Sequence, residues 1–415
     1  MKNKQWIFLI PLILLTISCG GSGSGNTESR SNIEDLLTFT GAFRLTNGRF
    51  VGPNEVDDGN PDSYTVNYAV GTLAYNPENH SLFIVGFSQQ DPIAEYPIVD
   101  SSMESEIANL SETGEPLQGF TTIFDLDGNP EGINRITGML WFNGALIVNA
   151  ENWYDANGQN TDTTIVIADA NNLAGDKEGY FKLSCSANCA GYMGPIPSEW
   201  QNAFGAEYFT GWSSVWSIVS RYSVGPSLWT FDPIDVVFGN ATVSPEILVT
   251  AFMNYGYPDS MGDFSWAPQG EPGPFTPANP IWNSLSKGRY GFFIKGTRTF
   301  AVIGSSAGLK SGIGYKAVQS NGNVCGGPCP YDPDDNYNYY WLFDIQDILD
   351  AATNNLMPQP YDYGIWRIPF DNGGNYKIIG ATLDSENNVL YVALGGAGKL
   401  GPYDYPPLIL TYSLP

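Results

Sequence analysis

Short apolar runs bounded by Gly, Pro, Asn and Asp recur along most of the chain, and no long stretch holds a helical period. That pattern restricts the chain to β structure, because runs of this length bury a strand but not a helix. Five of the runs align on one valine: Val85, Val148, Val219, Val302 and Val392, in segments 82–86, 145–149, 216–220, 299–303 and 390–393. Most follow another apolar run and a tight turn, as at 76–80, 143–144, 295–296 and 385–388. A further strand follows each, at 94–99, 164–169, 228–232, 341–345 and 408–412.

A fourth strand recurs at 119–123, 179–183, 245–250 and 364–368. The fifth set lacks one because the sequence stops at Pro415, while residues 41–45 near the start carry the missing pattern. Five sets of four strands, the last completed by the first segment, predict an all-β fold: a five-bladed β-propeller closed by its N-terminal strand. Six or seven blades, or a sandwich with coincidental matches, are the alternatives. With strands lettered A to D from the axis outward, the D–A and B–C loops share one face. Most of the long aromatic and acidic inserts (125–135, 183–210, 251–290, 305–338 and 395–407) are expected there. Long loops gathered at one end of a rigid scaffold are where binding usually sits.

Composition narrows the function. There are 43 acidic residues against 18 basic ones, a net charge of −25 that repels a nucleic-acid backbone. A single histidine excludes a multi-histidine metal site and leaves little scope for a serine–histidine–acid relay.

Lys2 and Lys4 precede an apolar run over residues 6–17, which ends in Ser18 and Cys19. This is the form of an export signal, too short for a membrane span. The end of the run resembles the bacterial lipoprotein signal, with Thr16 where that pattern usually has leucine. The resemblance implies cleavage before Cys19 and acylation of its thiol. The expected organisation is a signal peptide at 1–18, a lipidated cysteine and Gly/Ser-rich tether at 19–32, and one propeller domain at 33–415. The implied location is the bacterial cell envelope, in the outer membrane, with membrane contact through the lipid alone. Outside the cytoplasm Cys185, Cys189, Cys325 and Cys329 read as disulfides, in any of three connectivities. A four-thiolate zinc site has the same ligand number, but an oxidising compartment disfavours it.

Three B–C loops carry an aromatic or Pro-Tyr followed by aspartate: Trp153, Tyr154 and Asp155; Tyr331 and Asp332; Tyr403 and Asp404. The equivalent loop of the third blade has Arg221 and Tyr222. Flat rings beside acids suit a sugar, whose C–H faces stack while its hydroxyls are hydrogen-bonded; packing within the loops is the plainer role. Asp125, Asp127, Asn129 and Glu131 alternate oxygen ligands around a glycine, which suits calcium. Acids for glycoside hydrolysis are available in Glu151, Asp155, Asp332, Asp404 and the acidic residues of 125–131.

Segments 73–77, 81–86, 191–200 and 217–226 resemble an uncharacterised group of exported bacterial propeller-like proteins. The resemblance spans most of residues 40–415, implies no activity, and makes Arg221 a candidate contact. The expected function is a surface-anchored lipoprotein binding a ligand, a carbohydrate by preference, on the loop-rich face. A glycoside-directed enzyme using paired carboxylates, or a scaffold for other envelope proteins, are the alternatives.

Overall fold

The B strands set the fold. Ser81–Val85 and Ala145–Glu151 are buried at every position, so both faces of the strand are covered by neighbours. The computed structural model describes residues 30–415 except 57, 127, 156–158, 186–188, 213–223, 238–245, 257–259 and 264. Cys19 and the rest of the export segment, Asp127, and Arg221 with the segment around Val219 lie outside the described residues.

The described strands form a five-bladed β-propeller. Blade one runs Leu73–Asn76, Ser81–Val85, Ile93–Pro97 and Gln118–Thr121 from A to D. Blade two runs Arg135–Phe142, Ala145–Glu151, Asp162–Ile167 and Lys177–Leu183. Blade three runs Met193–Pro195, Tyr208–Thr210, Ser227–Phe231 and Thr250–Asn254. Blade four runs Lys287–Ile294, Thr299–Ala307, Asn336–Asp344 and Asp362–Ile365. Blade five has Ile378–Asp384, Val389–Leu394 and Leu408–Ser413, and takes Thr38–Arg44 as its strand D. The five A strands touch in a closed ring, one to two, two to three, three to four, four to five and five to one. All blades belong to one compact unit, Asn32–Pro415.

Closure follows the expected register. Ala42 pairs with Leu410, Phe43 with Ile409 and Arg44 with Leu408. Helix Ile33–Leu36, capped by the Asn32 side chain, seats the incoming chain. Short parallel strands guard two outer edges. Ser111–Glu112 lies on blade five and Glu246–Ile247 on blade two, held by ion pairs Arg44–Glu112 (3.0 Å) and Lys182–Glu246 (2.9 Å). Covered edges cannot template pairing with another chain.

Blade three departs from expectation. Its A and B strands lie inside the span 183–210 that reads as one long loop, and helix Ser198–Phe204 fills the connection between them. The segment 245–250, expected as its strand D, instead supplies the extra strand of blade two, and Thr250–Asn254 is the true strand D. In blade four the fourth strand is Asp362–Ile365, ending where segment 364–368 was expected to continue. Both cysteine pairs close locally, Cys185 with Cys189 and Cys325 with Cys329. The second sits on a hairpin, Ile313–Tyr315 with Pro328–Pro330, inside the B–C loop of blade four.

Candidate functional site

Three of the inner strands share an irregularity near the end that faces the loop-rich side. Their pairing with strand B slips between Ile136 and Gly138, between Gly288 and Tyr290, and between Ile378 and Gly380. Each slip inserts one residue, Thr137, Arg289 or Ile379, and turns it out of the ladder. Glycines beside the slips let adjacent blades approach: a Cβ on Gly138 would overlap the carbonyl oxygen of Gly191, and one on Gly380 that of Gly71.

Above this ring the axis opens into a cavity of about 580 Å³, within the range of small-molecule sites. Its wall carries four cations, Arg135, Lys287, Arg289 and Lys377, all from the inner strands or the residue before one. Its rim carries four aromatic rings, Tyr68, Trp153, Tyr376 and Tyr405. No aspartate or glutamate lines it among the described residues. Below, Thr72, Thr137, Tyr192, Arg289 and Tyr290 constrict the axis to a neck of about 10 Å³, room for one water at most. The opposite end opens into a groove of about 170 Å³ beside Tyr75, Trp141, Tyr208, Asp384 and Glu386.

The rim is held firmly. Tyr68 sits at φ 50°, a left-handed conformation uncommon for a bulky residue. Its amide donates to the Tyr405 carbonyl (3.3 Å) and its ring stacks on that of Tyr405 at 4.9 Å. The Lys399 ammonium lies 4.3 Å from the Tyr405 ring centre. Arg135 lies 5.9 Å from the Trp153 ring, and the Trp153 amide donates to Asn134 Oδ1 (2.9 Å). Tyr68 and Trp153 are 43% and 44% exposed, so each keeps open surface for a ligand beyond the contact that holds it.

The cations differ in how they are satisfied. Arg135 donates to the Ser88 carbonyl (2.8 Å) and lies 3.4 Å from the carboxylate of Asp91. Lys377 donates to Asn336 Oδ1 (2.7 Å). Among the described residues, Lys287 and Arg289 have no hydrogen-bond or ion-pair partner, and Arg289 Nε is buried without an acceptor. Burial, then repulsion from Arg289 and Lys377, pushes the Lys287 ammonium down to about 7. Burial and repulsion from Arg135 push Arg289 down to about 10, so it stays a cation at neutral pH. Behind the wall Asp91 and Glu151 are wholly buried. Burial raises Asp91 to about 7, outweighing Arg135 and the Ile136 amide, and raises Glu151 well above the carboxylate range despite Trp212, Arg135 and Arg289 nearby.

The residues singled out in the sequence fall in several places. Trp153 lines the cavity. Tyr154 points outward at 67% exposed, and Asp155 accepts from the Gln159 and Asn160 amides (2.6 and 2.8 Å), fastening its own loop. Tyr331 packs edge-on against Phe275 at 5.8 Å, and Asp332 caps the turn through the Asp334 amide (3.1 Å). Tyr403 is 81% exposed and Asp404 half-buried, while their neighbour Tyr405 reaches the cavity. In the acidic loop Asp125 pairs with Lys177 (2.6 Å), Asn129 brackets the backbone of Ile133, and Glu131 accepts from the Thr161 and Asp162 amides. Among the described residues no cluster of three or more His, Cys, Asp or Glu is arranged to hold a metal.

Four cations and three of the four rim rings escaped the sequence reading. For the cations the signal is a basic residue one to three positions before a glycine of an inner strand: Arg135 before Gly138, Lys287 before Gly288, Arg289 before Gly291, Lys377 before Gly380.

Fold and site together define a five-bladed propeller with a cationic, aromatic-rimmed funnel on its loop-bearing face. No protein-family description matches the chain, and no curated protein matches it. Among solved structures, hydrazine synthase of Kuenenia stuttgartiensis aligns over 87% of this chain and 99% of its own, at 9% identity and a TM-score of 0.29. A likeness at that score carries no argument about fold or function.

Proposed function

We propose that the protein is an exported, lipid-anchored binding propeller that takes a carbohydrate in the axial funnel of its loop-rich face. The rim carries the reading. Four rings surround a cavity of about 580 Å³, and exposed aromatic faces are what the C–H side of a sugar ring stacks on. The lining holds no carboxylate among the described residues, and glycoside hydrolysis needs two across the scissile bond. Binding without turnover is therefore the reading the site favours.

Glycan-array screening of the soluble domain, followed by titration of any hit, tests it. Trp153→Ala and Tyr405→Ala are each expected to weaken the hit several-fold, since a lost stacking contact is worth about 1 kcal/mol. Tyr361→Ala is the control. It removes an equal ring from the C–D connection of blade four, where its hydroxyl meets Thr299 Oγ1 (2.9 Å) at the opposite end of the blade. Equal losses in all three variants would place the ligand elsewhere.

The anchor rests on the sequence around Cys19. Cys19→Ala is expected to leave the protein unprocessed or to release it from membrane fractions. Cleavage and membrane partition unchanged from the parent would refute the anchor.

A further inference from the structure

We infer that the funnel floor is an oxyanion site, and that the carbohydrate it takes is a short acidic sugar bearing a carboxylate, sulfate or phosphate. This rests on the reading of the funnel as the binding site and specifies the ligand's chemistry.

The observation is a conflict of charge. The chain carries 43 acidic residues and 18 basic ones, yet four of the basic ones converge on a cavity whose described lining contains no acid. Lys287, Arg289 and Lys377 repel one another. Arg135 has Asp91 and Lys377 has Asn336, but the Lys287 and Arg289 side chains make no hydrogen bond or ion pair among the described residues, and Glu151, the acid that acts on Arg289, is itself pushed by burial toward its neutral form. An unpaired cation held among protein atoms is costly unless it gives up its proton, as burial pushes Lys287 toward doing, or something else supplies the counter-charge, as Arg289 requires. A ligand oxyanion would accept from both groups, and charge-assisted bonds of this kind are the strong ones.

Two features narrow the anion. The cavity is far larger than a simple ion needs and is rimmed by rings, so the anionic group is carried on a body that can stack. The surrounding field is strongly negative, so a long polyanion is repelled before it arrives, whereas a monomer or chain end can enter a positive pit. The neck below Arg289 ends the path, so the charged group sits at the tip of what enters.

Calorimetric titration with trigalacturonate, galactotriose, a sulfated disaccharide and inorganic sulfate separates the possibilities. Trigalacturonate or the sulfated sugar is expected to bind at least about tenfold tighter than galactotriose, with the advantage shrinking as salt is raised. In Lys287→Gln/Arg289→Gln the ratio of acidic to neutral affinity is expected to fall to about one. The contrast between carboxylate and sulfate probes identifies which oxyanion the floor prefers. If galactotriose binds as well as the acidic sugars, the oxyanion inference is overturned while the carbohydrate reading stands. If inorganic sulfate binds and no sugar does, the carbohydrate reading falls and the oxyanion site stands. Binding of none of the probes, or an acidic preference that survives the double substitution, overturns the inference. Should the double variant fail to fold, the parent's own ratio and its salt dependence decide the question.

Discussion

Deletion of residues 33–50 is expected to make the propeller aggregate. The deleted span contains Thr38–Arg44, which supplies the outer strand of blade five and pairs with Leu408–Ser413 along its length. Ala42 and Phe43 are wholly buried in that position; Ala42 shares its core cluster with Ile33, Leu36 and Leu37, and Phe43 shares one with Ile84, Tyr96 and Ile409. Thr411 Oγ1 donates to the Gly41 carbonyl (2.9 Å) and meets Thr40 Oγ1 (3.0 Å), so polar groups are lost as well. Without the strand, Leu408–Ser413 becomes a long apolar edge, a ready template for another chain. A milder version isolates the packing: Phe43→Ala is expected to cost about 3–5 kcal/mol. Size-exclusion chromatography and thermal melts check both. A truncated protein that stays monomeric and melts with the parent would show that the ring does not depend on this strand.

Above about pH 7, where the Asp91 carboxylate is ionised, Asp91→Ala is expected to destabilise the fold by about 3–5 kcal/mol, because it removes one partner of a buried ionic contact. Asp91 ends the B–C loop of blade one and reaches across to blade two. It accepts from the Ile136 amide (2.9 Å) and lies 3.4 Å from Arg135 Nε. Its loss leaves that amide without its acceptor and a cationic wall with less counter-charge. Asp91→Asn keeps an acceptor and is expected to cost less.

The same pair of proteins reports on protonation. Burial raises Asp91 to about 7, against the ordinary aspartate value near ~4. A carboxyl raised in the folded state contributes stability that is full below the unfolded value and is lost as pH rises through the folded one. Between about pH 4 and 7 the folded protein therefore holds a proton that the unfolded chain has released. Arg135 and the Ile136 amide face the group and oppose this shift without cancelling it. The melting temperature of the parent relative to Asp91→Asn should thus fall as pH rises across that window. A difference that stays flat would mean that Asp91 is already ionised below it.

The strands that read clearly in the sequence are those with long, fully buried stretches. Val85, Val148, Val302 and Val392 all lie in B strands, where both faces are covered and the residue pattern shows it. Blade three did not read clearly because its two inner strands, Met193–Pro195 and Tyr208–Thr210, have three residues each. Three residues are too few to display a period of two. The helix between them breaks the spacing that the other blades keep. The funnel shows the same limit. Trp153 was recognisable as an aromatic in a long B–C loop, but Tyr68 and Tyr376 come from D–A connections that carry no such motif.

What the sequence determined alone is the local part: strands from apolar alternation, turns from Gly, Asn and Pro, and a first segment shaped like the strand missing at the end. Each of these depends on residues within a few positions of one another, or on a pattern that repeats. The tertiary structure decided which side chains share a space. Arg135, the Lys287 and Arg289 pair, and Lys377 are far apart along the chain and unremarkable as single residues. They meet because ring closure brings the starts of the inner strands to one axis, and because one-residue slips in two of the strands that carry them disturb the alternation there. Charge adds across space and not along sequence, so a chain acidic in its overall composition encloses a positive funnel.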